Sequence, residues 1–428
     1  MSRAMAALCA SSRAVLSRRS GATDSFTGSE PPSIEAENPT VQDDAAKQLI
    51  HHPYRAPEGF EGLQVPVHKA STVLFPDMAA VRARDWTDKS AYTYGLHGTP
   101  TTFTLEERIA ALEGGRHCLL TPSGLAAIAL VNQALLAPGD ELLLPTNVYG
   151  PNLEYARMEL ARWGVRHRSY DPLDVAGFEA MLGEHSRLVW LEAAGSVTME
   201  FPDLPGLVAA ARRHGVATAL DNTWGAGLAF KAFELGIEIV AHALTKYPSG
   251  GGDVLMGSVT TRAPALHQRL QTTHKHMGLG VGGNDAELVL RSLPSLPLRY
   301  RAQDAAGRAV AAWLQARPEV ARVLHPAFEG SPGHAHWRAL CTDAAGLFSV
   351  LLHERYEPAQ VDRFVAALRL FRIGYSWAGP TSLVMAYPLP TLRPGSALRG
   401  HLVRLAIGLE EPAALCADLE QALGVAFG

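Results

Sequence analysis

The stretches Leu220-Asp221-Asn222-Thr223-Trp224 and Ala243-Leu244-Thr245-Lys246-Tyr247 each place a charged side chain just beyond an apolar run. Such runs are typical of strands that are buried on both faces of a parallel sheet. In sheets of this kind, ligands bind beyond the carboxyl ends of the strands. We therefore expect Asp221 and Lys246 to face one crevice, and the sequence predicts that the chemistry of the protein takes place there.

Lys246 and Asp221 together indicate a cofactor with a carbonyl group and a ring nitrogen. A lysine in apolar surroundings loses its proton readily, and its neutral amine is a nucleophile for carbonyl groups. The carboxylate of Asp221 is suited to a protonated ring nitrogen. The alternative is that the two residues form a buried ion pair without a cofactor.

A phosphate site is predicted beside this pair. Ser123-Gly124-Leu125 lies on a strand-to-helix turn, where free backbone N–H groups and the positive end of the helix favour a phosphate. The hydroxyl of Thr245, one residue before Lys246, would donate to the same phosphate. A phosphate site, a lysine that bonds to a carbonyl and an acid for a ring nitrogen together predict pyridoxal 5'-phosphate as the cofactor.

Composition limits the class of protein. The chain has 428 residues, 47% of them hydrophobic, which is enough for a large core and two domains. Its net charge of −4 comes from charges of mixed sign, so we expect a small-molecule substrate and no nucleic-acid partner. No apolar run is long enough to cross a bilayer, so no membrane is expected. The cysteines lie far apart without a CxxC pair, which indicates no metal site and a reducing compartment, the cytoplasm.

Changes in composition along the chain predict four segments. Residues 1–45 are rich in Arg, Ala, Ser and Pro and are expected to form a disordered tail, with a targeting segment as the alternative. Residues 46–100 hold several prolines and are expected to form an N-terminal arm that reaches the neighbouring subunit. Strands alternate with helices over residues 101–300, which predicts a cofactor-binding large domain with a parallel sheet. Residues 301–428 are expected to form a smaller α+β C-terminal domain.

Two local boundaries bear on the site. Thr104-Leu105-Glu106-Glu107 has the spacing of a capping box and predicts the start of a helix that ends at Gly114-Gly115. The second apolar run predicts a strand over residues 237–244. Lys246 would then follow almost directly on the carboxyl end of that strand.

Six segments resemble motifs of one enzyme family and stand in the same order. They are residues 94–99, 104–115, 123–127, 221–224, 245–247 and 404–410. From about residue 49 onward the chain resembles the Cys/Met-metabolism family of pyridoxal-phosphate-dependent enzymes. The resemblance implies an α/β fold of type I, similar to aspartate aminotransferase, with a mostly parallel sheet in the large domain and a smaller α+β C-terminal domain. It also implies a homo-oligomer, at least a dimer, and a tetramer built from two dimers.

The resemblance also implies a role for each matching residue. Lys246 would hold the cofactor covalently and then move the Cα proton, Asp221 would keep the pyridine nitrogen protonated, and Tyr149 would stack on the ring and assist proton transfer. The cofactor phosphate would be held by Ser123, Gly124, Leu125 and Thr245, and Tyr94 would reach the phosphate of the neighbouring subunit. The substrate side would be formed by Arg404, whose planar fork suits the α-carboxylate, and by Ser376 and Trp377.

Two further segments narrow the expected activity. Gly195-Ser196-Val197-Thr198-Met199-Glu200 and Tyr375-Ser376-Trp377 resemble the β-lyase subgroup of the family. This implies a carbon–sulfur lyase that cleaves the Cβ–S bond of L-cystathionine and releases homocysteine, pyruvate and ammonia, a step of methionine biosynthesis. The alternatives are a γ-lyase, a γ-synthase or a cysteine desulfhydrase of the same family, or a protein that binds pyridoxal phosphate with impaired catalysis.

One residue departs from the family pattern at the phosphate end. Leu96 stands where the family has an arginine for the phosphate, and His97 follows it. We therefore expect phosphate binding that is weaker than in the family or that uses another basic group.

Overall fold

The computed structural model describes residues 45–50, 59, 62–89 and 91–428. Apart from Ala45, the predicted tail and its alternative as a targeting segment lie outside the described residues. Residues 51–58, 60–61 and 90 of the predicted arm also lie outside them.

A seven-stranded sheet forms the centre of the larger part of the fold. Its strands are β1 (His117–Thr121), β2 (Glu141–Pro145), β3 (Arg166–Tyr170), β4 (Ser186–Glu192), β5 (Ala217–Asp221), β6 (Ile239–His242) and β7 (Gly257–Thr261). The spatial order is β1-β7-β6-β5-β4-β2-β3, and within this sheet β7 alone runs antiparallel to its neighbours. The predicted mostly parallel sheet is confirmed.

Helices surround the two sheets of the chain. In chain order they are α1 (Ala45–Ile50), α2 (Met78–Ala83), α3 (Pro100–Glu113), α4 (Gly124–Leu135), α5 (Gly150–Met158), α6 (Val175–Met181), α7 (Leu204–Arg213), α8 (Pro264–Met277), α9 (Gly283–Ser292), α10 (Leu296–Gln315), α11 (His334–Leu340), α12 (Pro358–Ala367), α13 (Leu389–Leu392) and α14 (Pro412–Phe427). Neighbouring strand residues enter different apolar clusters, Leu220 and Val240 on one side of the large sheet and Ala219 and Ile239 on the other. The large sheet is therefore covered on both faces, which explains its continuous apolar strands.

A second sheet follows in the C-terminal part of the chain. It consists of β8 (Val320–Leu324), β9 (Leu347–Leu352), β10 (Arg372–Ile373), β11 (Leu383–Tyr387) and β12 (His401–Ala406), in the spatial order β10-β11-β12-β9-β8. The β10–β11 pair is parallel and the other pairs are antiparallel. Apolar residues of α10, α12 and α14 pack with this sheet in one cluster. The predicted smaller α+β part is confirmed, and α10 runs without a break through the predicted domain boundary at residues 300 and 301.

The predicted start of α3 is wrong by one helical turn. The helix begins at Pro100 because the hydroxyl of Thr99 caps it, accepting from the amide of Thr102 at 3.3 Å. Proline also suits the first helical position, where an N–H has no helical partner. The hydroxyl of Thr104 instead donates to the Pro100 carbonyl inside the helix. The predicted end at Gly114 is confirmed, with a left-handed φ of 76° at that residue.

The strand that precedes Lys246 is shorter than predicted. β6 ends at His242, and the amide of Lys246 donates to the carbonyl of Ala243 at 3.0 Å, which turns the chain. Lys246 therefore lies on a turn beyond the strand.

Three neighbouring parallel strands bring their last residues into line. Glu192 at the end of β4 is paired with Asp221 at the end of β5, and Asp221 is paired with Ala241 near the end of β6. Two residues separate the end of β1 at Thr121 from the start of α4 at Gly124. Among the described residues, no helix is long and apolar enough to span a bilayer.

Candidate active site

A cavity of about 570 Å³ lies at the carboxyl ends of the parallel strands. Its lining includes every predicted site residue except Tyr94, namely Ser123, Gly124, Leu125, Tyr149, Asp221, Thr245, Lys246, Ser376, Trp377 and Arg404. The structure therefore brings together residues that are far apart in the chain, while their individual roles stay predictions.

Lys246 lines this cavity next to Ser376 and Trp377. Its Nζ atom donates to the Ser376 hydroxyl at 2.7 Å and lies 5.7 Å from the centre of the Trp377 ring. Burial, with the nearby charge of Arg404, lowers the pKa of Lys246 to about 8, while Asp221 acts in the opposite direction. A substantial fraction of the amine is therefore neutral near physiological pH, as a nucleophile or a base requires.

Asp221 at the end of β5 contributes its carboxyl group to the lining of the cavity. Its Oδ1 atom accepts from the amide of Thr223 at 3.0 Å and from the Thr223 hydroxyl at 2.5 Å. Burial raises the pKa of Asp221, and the two bonds from Thr223 partly offset this. Among the described residues both hydrogen bonds of this carboxyl end on Oδ1, which leaves Oδ2 for a donor in the cavity.

The backbone amide of Tyr149 is held by Glu192, an acid that the sequence analysis missed. It precedes α5, its ring is partly exposed to the cavity, and its amide donates to Glu192 Oε2 at 2.7 Å. Burial, and then the charge of Asp221, raises the pKa of Glu192 well above its usual range. Glu192 follows an apolar strand in the same way as Asp221, so the pattern that identified Asp221 also applies to it.

The phosphate end is built from the start of α4 and the turn before Lys246. A Cβ added to Gly124 would lie 2.6 Å from the Cβ of Ala243, so only glycine lets the helix start approach this turn. The amides of Gly124 and Leu125 open the helix, where N–H groups have no helical partner and attract anions. These residues fit pyridoxal phosphate: the amides at the start of α4 suit its phosphate, Lys246 with its lowered pKa suits its carbonyl group, and the acid Asp221 suits its ring nitrogen.

The two hydroxyls predicted at this end have protein partners. Ser123 Oγ accepts from the amide of Ala126 at 3.1 Å and caps α4. Thr245 Oγ1 donates to the carbonyl of Met256 at 3.2 Å and accepts from its amide at 3.0 Å. Both hydroxyls still line the cavity. Among the described residues Ser123 Oγ only accepts, so its hydrogen is available to a phosphate oxygen, whereas the one hydrogen of Thr245 would have to turn away from Met256 to reach a phosphate.

Arg404 supplies the positive charge of the substrate side. It is buried on β12, donates from Nη2 to the Ser376 carbonyl at 3.3 Å, and lies 5.4 Å from the centre of the Tyr387 ring. Burial lowers the pKa of Arg404 from its usual value, and an arginine stays charged in proteins. Ser376 contacts both Lys246 and Arg404, and its φ of 81° lies in the left-handed region that side chains rarely adopt.

Three residues of the arm, Tyr94, Leu96 and His97, lie outside this cavity. Tyr94 is about half exposed and forms an isolated bridge with Thr72. Leu96 and His97 follow in a 3-10 turn, where His97 Nδ1 and Thr93 Oγ1 are 2.8 Å apart. Within one chain these residues do not line the cavity, so their contribution to a neighbouring subunit stays a prediction.

Arg393 also lines the cavity and was missed by the sequence analysis. It lies in the irregular segment after α13, where no periodic pattern singles it out. Its guanidinium group reaches the large-domain loops, and this contact is treated further below.

Comparison with known proteins agrees with this geometry. The family model described as Cys/Met metabolism PLP-dependent enzyme matches residues 46–424. The chain is 37% identical to a cystathionine β-lyase of Bordetella avium, over 90% of this chain and 99% of the relative. It is 35% identical to a cystathionine β-lyase of Escherichia coli K12, over 83% of this chain and 91% of the relative.

A solved structure extends the comparison to the fold. The cystathionine γ-synthase of Xanthomonas oryzae, crystallised with aminoacrylate and cysteine, matches with a TM-score of 0.83 and 28% identity over 91% of this chain and 99% of that chain. Fold, cavity and relatives lead to one assignment. The chain belongs to the Cys/Met-metabolism family of pyridoxal-phosphate-dependent enzymes, as a carbon–sulfur lyase whose cofactor is pyridoxal 5'-phosphate.

Proposed function

We propose that the protein is a cystathionine β-lyase, which converts L-cystathionine and water into homocysteine, pyruvate and ammonia in methionine biosynthesis. The observation that carries this proposal is the contact of Ser376 with both Lys246 and Arg404. A base for the Cα proton and a cation for the α-carboxylate of one amino acid are thereby held side by side. The similarity to two cystathionine β-lyases over most of the chain supports the same substrate.

The residues of the cavity divide the work of the reaction. Pyridoxal phosphate, when bound, supplies an electron sink for the electron pair left by the Cα proton. Asp221 holds a proton at the ring nitrogen, and Arg404 binds the α-carboxylate of the substrate through its fork. Neutral Lys246 takes the Cα proton at Nζ. The Cβ–S bond then breaks, the sulfur takes a proton and leaves as homocysteine, and water converts the three-carbon remainder into pyruvate and ammonia.

A γ-synthase, a γ-lyase or a cysteine desulfhydrase is the second candidate. It is favoured by the fold similarity to the cystathionine γ-synthase, with its TM-score of 0.83. The reacting groups of the cavity serve these reactions as well, since all of them begin with removal of the Cα proton.

The site also bears on assembly and location. We propose that the protein works as a homo-oligomer. The smallest unit is a dimer, in which the arm (46–100) of one subunit reaches the large domain (101–300) of the other, and two dimers form a tetramer. Exposed apolar side chains of the arm support this, among them Leu63, Leu74 and Met78. The small domain (301–428) completes the substrate side. The buried, free thiols of Cys118 and Cys341 fit a cytoplasmic location.

The test is identification of the products from L-cystathionine. Purified protein is supplied with pyridoxal phosphate, and the 2-oxo acid and the thiol are separated by chromatography and quantified. We expect pyruvate and homocysteine in equal amounts. Formation of 2-oxobutyrate and cysteine would assign a γ-lyase instead, and a cofactor-loaded protein without turnover of any sulfur amino acid would indicate impaired catalysis.

A further inference from the structure

Two loops of the large domain form one wall of the cavity. The first runs from β2 through Asn147 to Tyr149, and the second spans residues 195–199 after β4. The amide of Ser196 donates to the Asn147 carbonyl at 2.9 Å, and Asn147 Nδ2 donates to Glu200 at 2.9 Å. The position of Tyr149 is therefore coupled to that of the second loop.

The second loop has a backbone that is unfavourable by itself. Val197 and Met199 have φ values of 67° and 61°, in the left-handed region that a β-branched residue strongly disfavours. A Cβ on Gly195 would lie 1.9 Å from Asn147 Nδ2, so the two loops are in close contact. A conformation of this kind persists only where surrounding groups hold it.

Arg393 of the small domain makes hydrogen bonds that stabilise this loop conformation. Its Nη2 atom donates to the Asn147 carbonyl at 3.2 Å and also to the Ser196 carbonyl, and its Nε atom donates to the Thr198 hydroxyl at 3.3 Å. One guanidinium fork thus spans both loops. Burial lowers the pKa of Arg393, while the charges of Glu200 and Glu192 raise it.

Glu192 holds the first loop through the opposite kind of group. Its carboxyl oxygen accepts from the amide of Tyr149 at 2.7 Å, whereas Arg393 binds backbone carbonyls. Glu192 thus accepts from a backbone N–H group of the cavity wall, and Arg393 donates to backbone carbonyls of the same wall, so both kinds of polar backbone group have a charged partner. The acid comes from the large domain and the cation from the small one.

Arg393 also lies where two cavities meet. Together with Tyr387 it lines both the active-site cavity and a second cavity of about 830 Å³ on the small domain. Most of the second cavity is formed by the segment from Tyr387 to Leu402. Arg393 is therefore part of the wall that separates the active site from this outer space.

We propose that Arg393 is a positioning residue, which fastens the small domain to the Tyr149 loop and the 195–199 loop and so keeps the Tyr149 ring in place over the cofactor. Its effect on turnover rests on the proposed function, whereas its effect on the loops does not. Arg393 itself contacts backbone groups and a hydroxyl, and acts on the chemistry through Tyr149.

The test compares Arg393→Ala and Arg393→Lys with Arg399→Ala. Arg399 lies in the same segment, is exposed, and donates to the carbonyls of Ser396 and Leu398 within that segment, so it is a matched control. Hydrogen exchange of the apoprotein is followed by mass spectrometry on peptides that cover residues 145–150 and 195–200. Visible circular dichroism of the cofactor-loaded protein reports the surroundings of the ring.

We expect Arg393→Ala to speed exchange in both peptides and to change the visible dichroism, while Arg399→Ala leaves both as in the wild type. The value of kcat should fall by about 100-fold, as expected for a displacement of about 1 Å at a reacting site. Arg393→Lys keeps the positive charge but lacks the planar guanidinium group, so its hydrogen exchange should be faster than in the wild type and slower than in Arg393→Ala. If Arg393→Ala does not fold, Arg393→Lys alone tests the proposal.

Unchanged exchange and unchanged dichroism in both Arg393 variants would overturn the proposal. Because hydrogen exchange is measured without cofactor or substrate, it tests the role of Arg393 even if L-cystathionine is not the substrate. Product identification tests that second question separately.

Discussion

Replacing Lys246 by alanine is expected to lower kcat with L-cystathionine by at least about 10⁴-fold, the upper range for loss of a positioned proton-transfer group. In the described part of the chain Lys246 is the one lysine that lines the cavity, and its pKa is lowered to about 8 by burial. The variant should therefore lack both the covalent link to the cofactor and the base for the Cα proton. Turnover and the visible absorption of the loaded protein are the measurements.

Lys231→Ala is the matched control for this variant. Burial of its amine also lowers the pKa of Lys231, but this residue is exposed overall, and its amine donates to the carbonyls of Leu112 and Gly227 outside the cavity. We expect this control to bind the cofactor covalently and to turn over substrate. Turnover by Lys246→Ala above about 1% of the wild-type rate would contradict the assignment of Lys246.

Replacing Asp221 by asparagine is expected to lower kcat/KM by about 10²- to 10⁴-fold, as follows from the 3–5 kcal/mol that removal of one partner from a buried ion pair costs. Asparagine has the same shape, and its oxygen still accepts from the amide and hydroxyl of Thr223, which lie at 3.0 and 2.5 Å from Asp221 Oδ1. The change therefore removes the negative charge and little else. Steady-state kinetics with L-cystathionine measures the effect.

Thr223→Val separates the charge of Asp221 from its support. This variant removes the hydroxyl donor to Oδ1 and leaves the carboxylate in place. We expect a loss of about 10-fold in kcat/KM, which corresponds to the lower end of the roughly 1.5–3 kcal/mol that one hydrogen bond to a charged group contributes. If Asp221→Asn stayed within about threefold of the wild type, the carboxylate would have no part in holding a ring proton.

The cavity could be predicted where the sequence places function at strand ends. Asp221 and Lys246 follow apolar runs, and parallel strands align their carboxyl ends, so the topology brings the two residues to one crevice. Ser123 and Gly124 were predicted by the same rule from the turn after β1. The structure places all four residues in the lining of one cavity, and their roles there stay predictions.

Local boundaries were less predictable, because the sequence offers competing signals. Thr99 and Thr104 both have the side chain of a helix cap, and Pro100 decides for Thr99 since it suits the first helical position. The apolar run before Lys246 does not reveal that the chain turns after His242. At that turn Ala243 lies against Gly124, a contact between distant parts of the chain that no local pattern reveals.

The sequence analysis missed two residues of the cavity, Glu192 and Arg393, for different reasons. Glu192 ends an apolar strand as Asp221 does, so a consistent use of that pattern would have included it. Arg393 lies in an irregular segment, and its role arises only when the small domain meets the loops at Asn147 and Ser196. Tyr94 belongs to a prediction about a second chain, and its role stays a prediction.

The central claim is that Lys246 binds the cofactor covalently in this cavity. Reducing the bond between lysine and cofactor and mapping the labelled peptide tests this claim most directly. Apoprotein is mixed with pyridoxal phosphate at a series of pH values, reduced with borohydride at set times, digested and mapped by mass spectrometry. Because the pKa of Lys246 is lowered to about 8, the neutral amine increases as pH rises through that value. The account predicts a label on Lys246 alone, formed faster as pH rises through about 8 and approaching a constant rate about one pH unit above the pKa. A label on Lys231, or none on Lys246 at any pH, would contradict it.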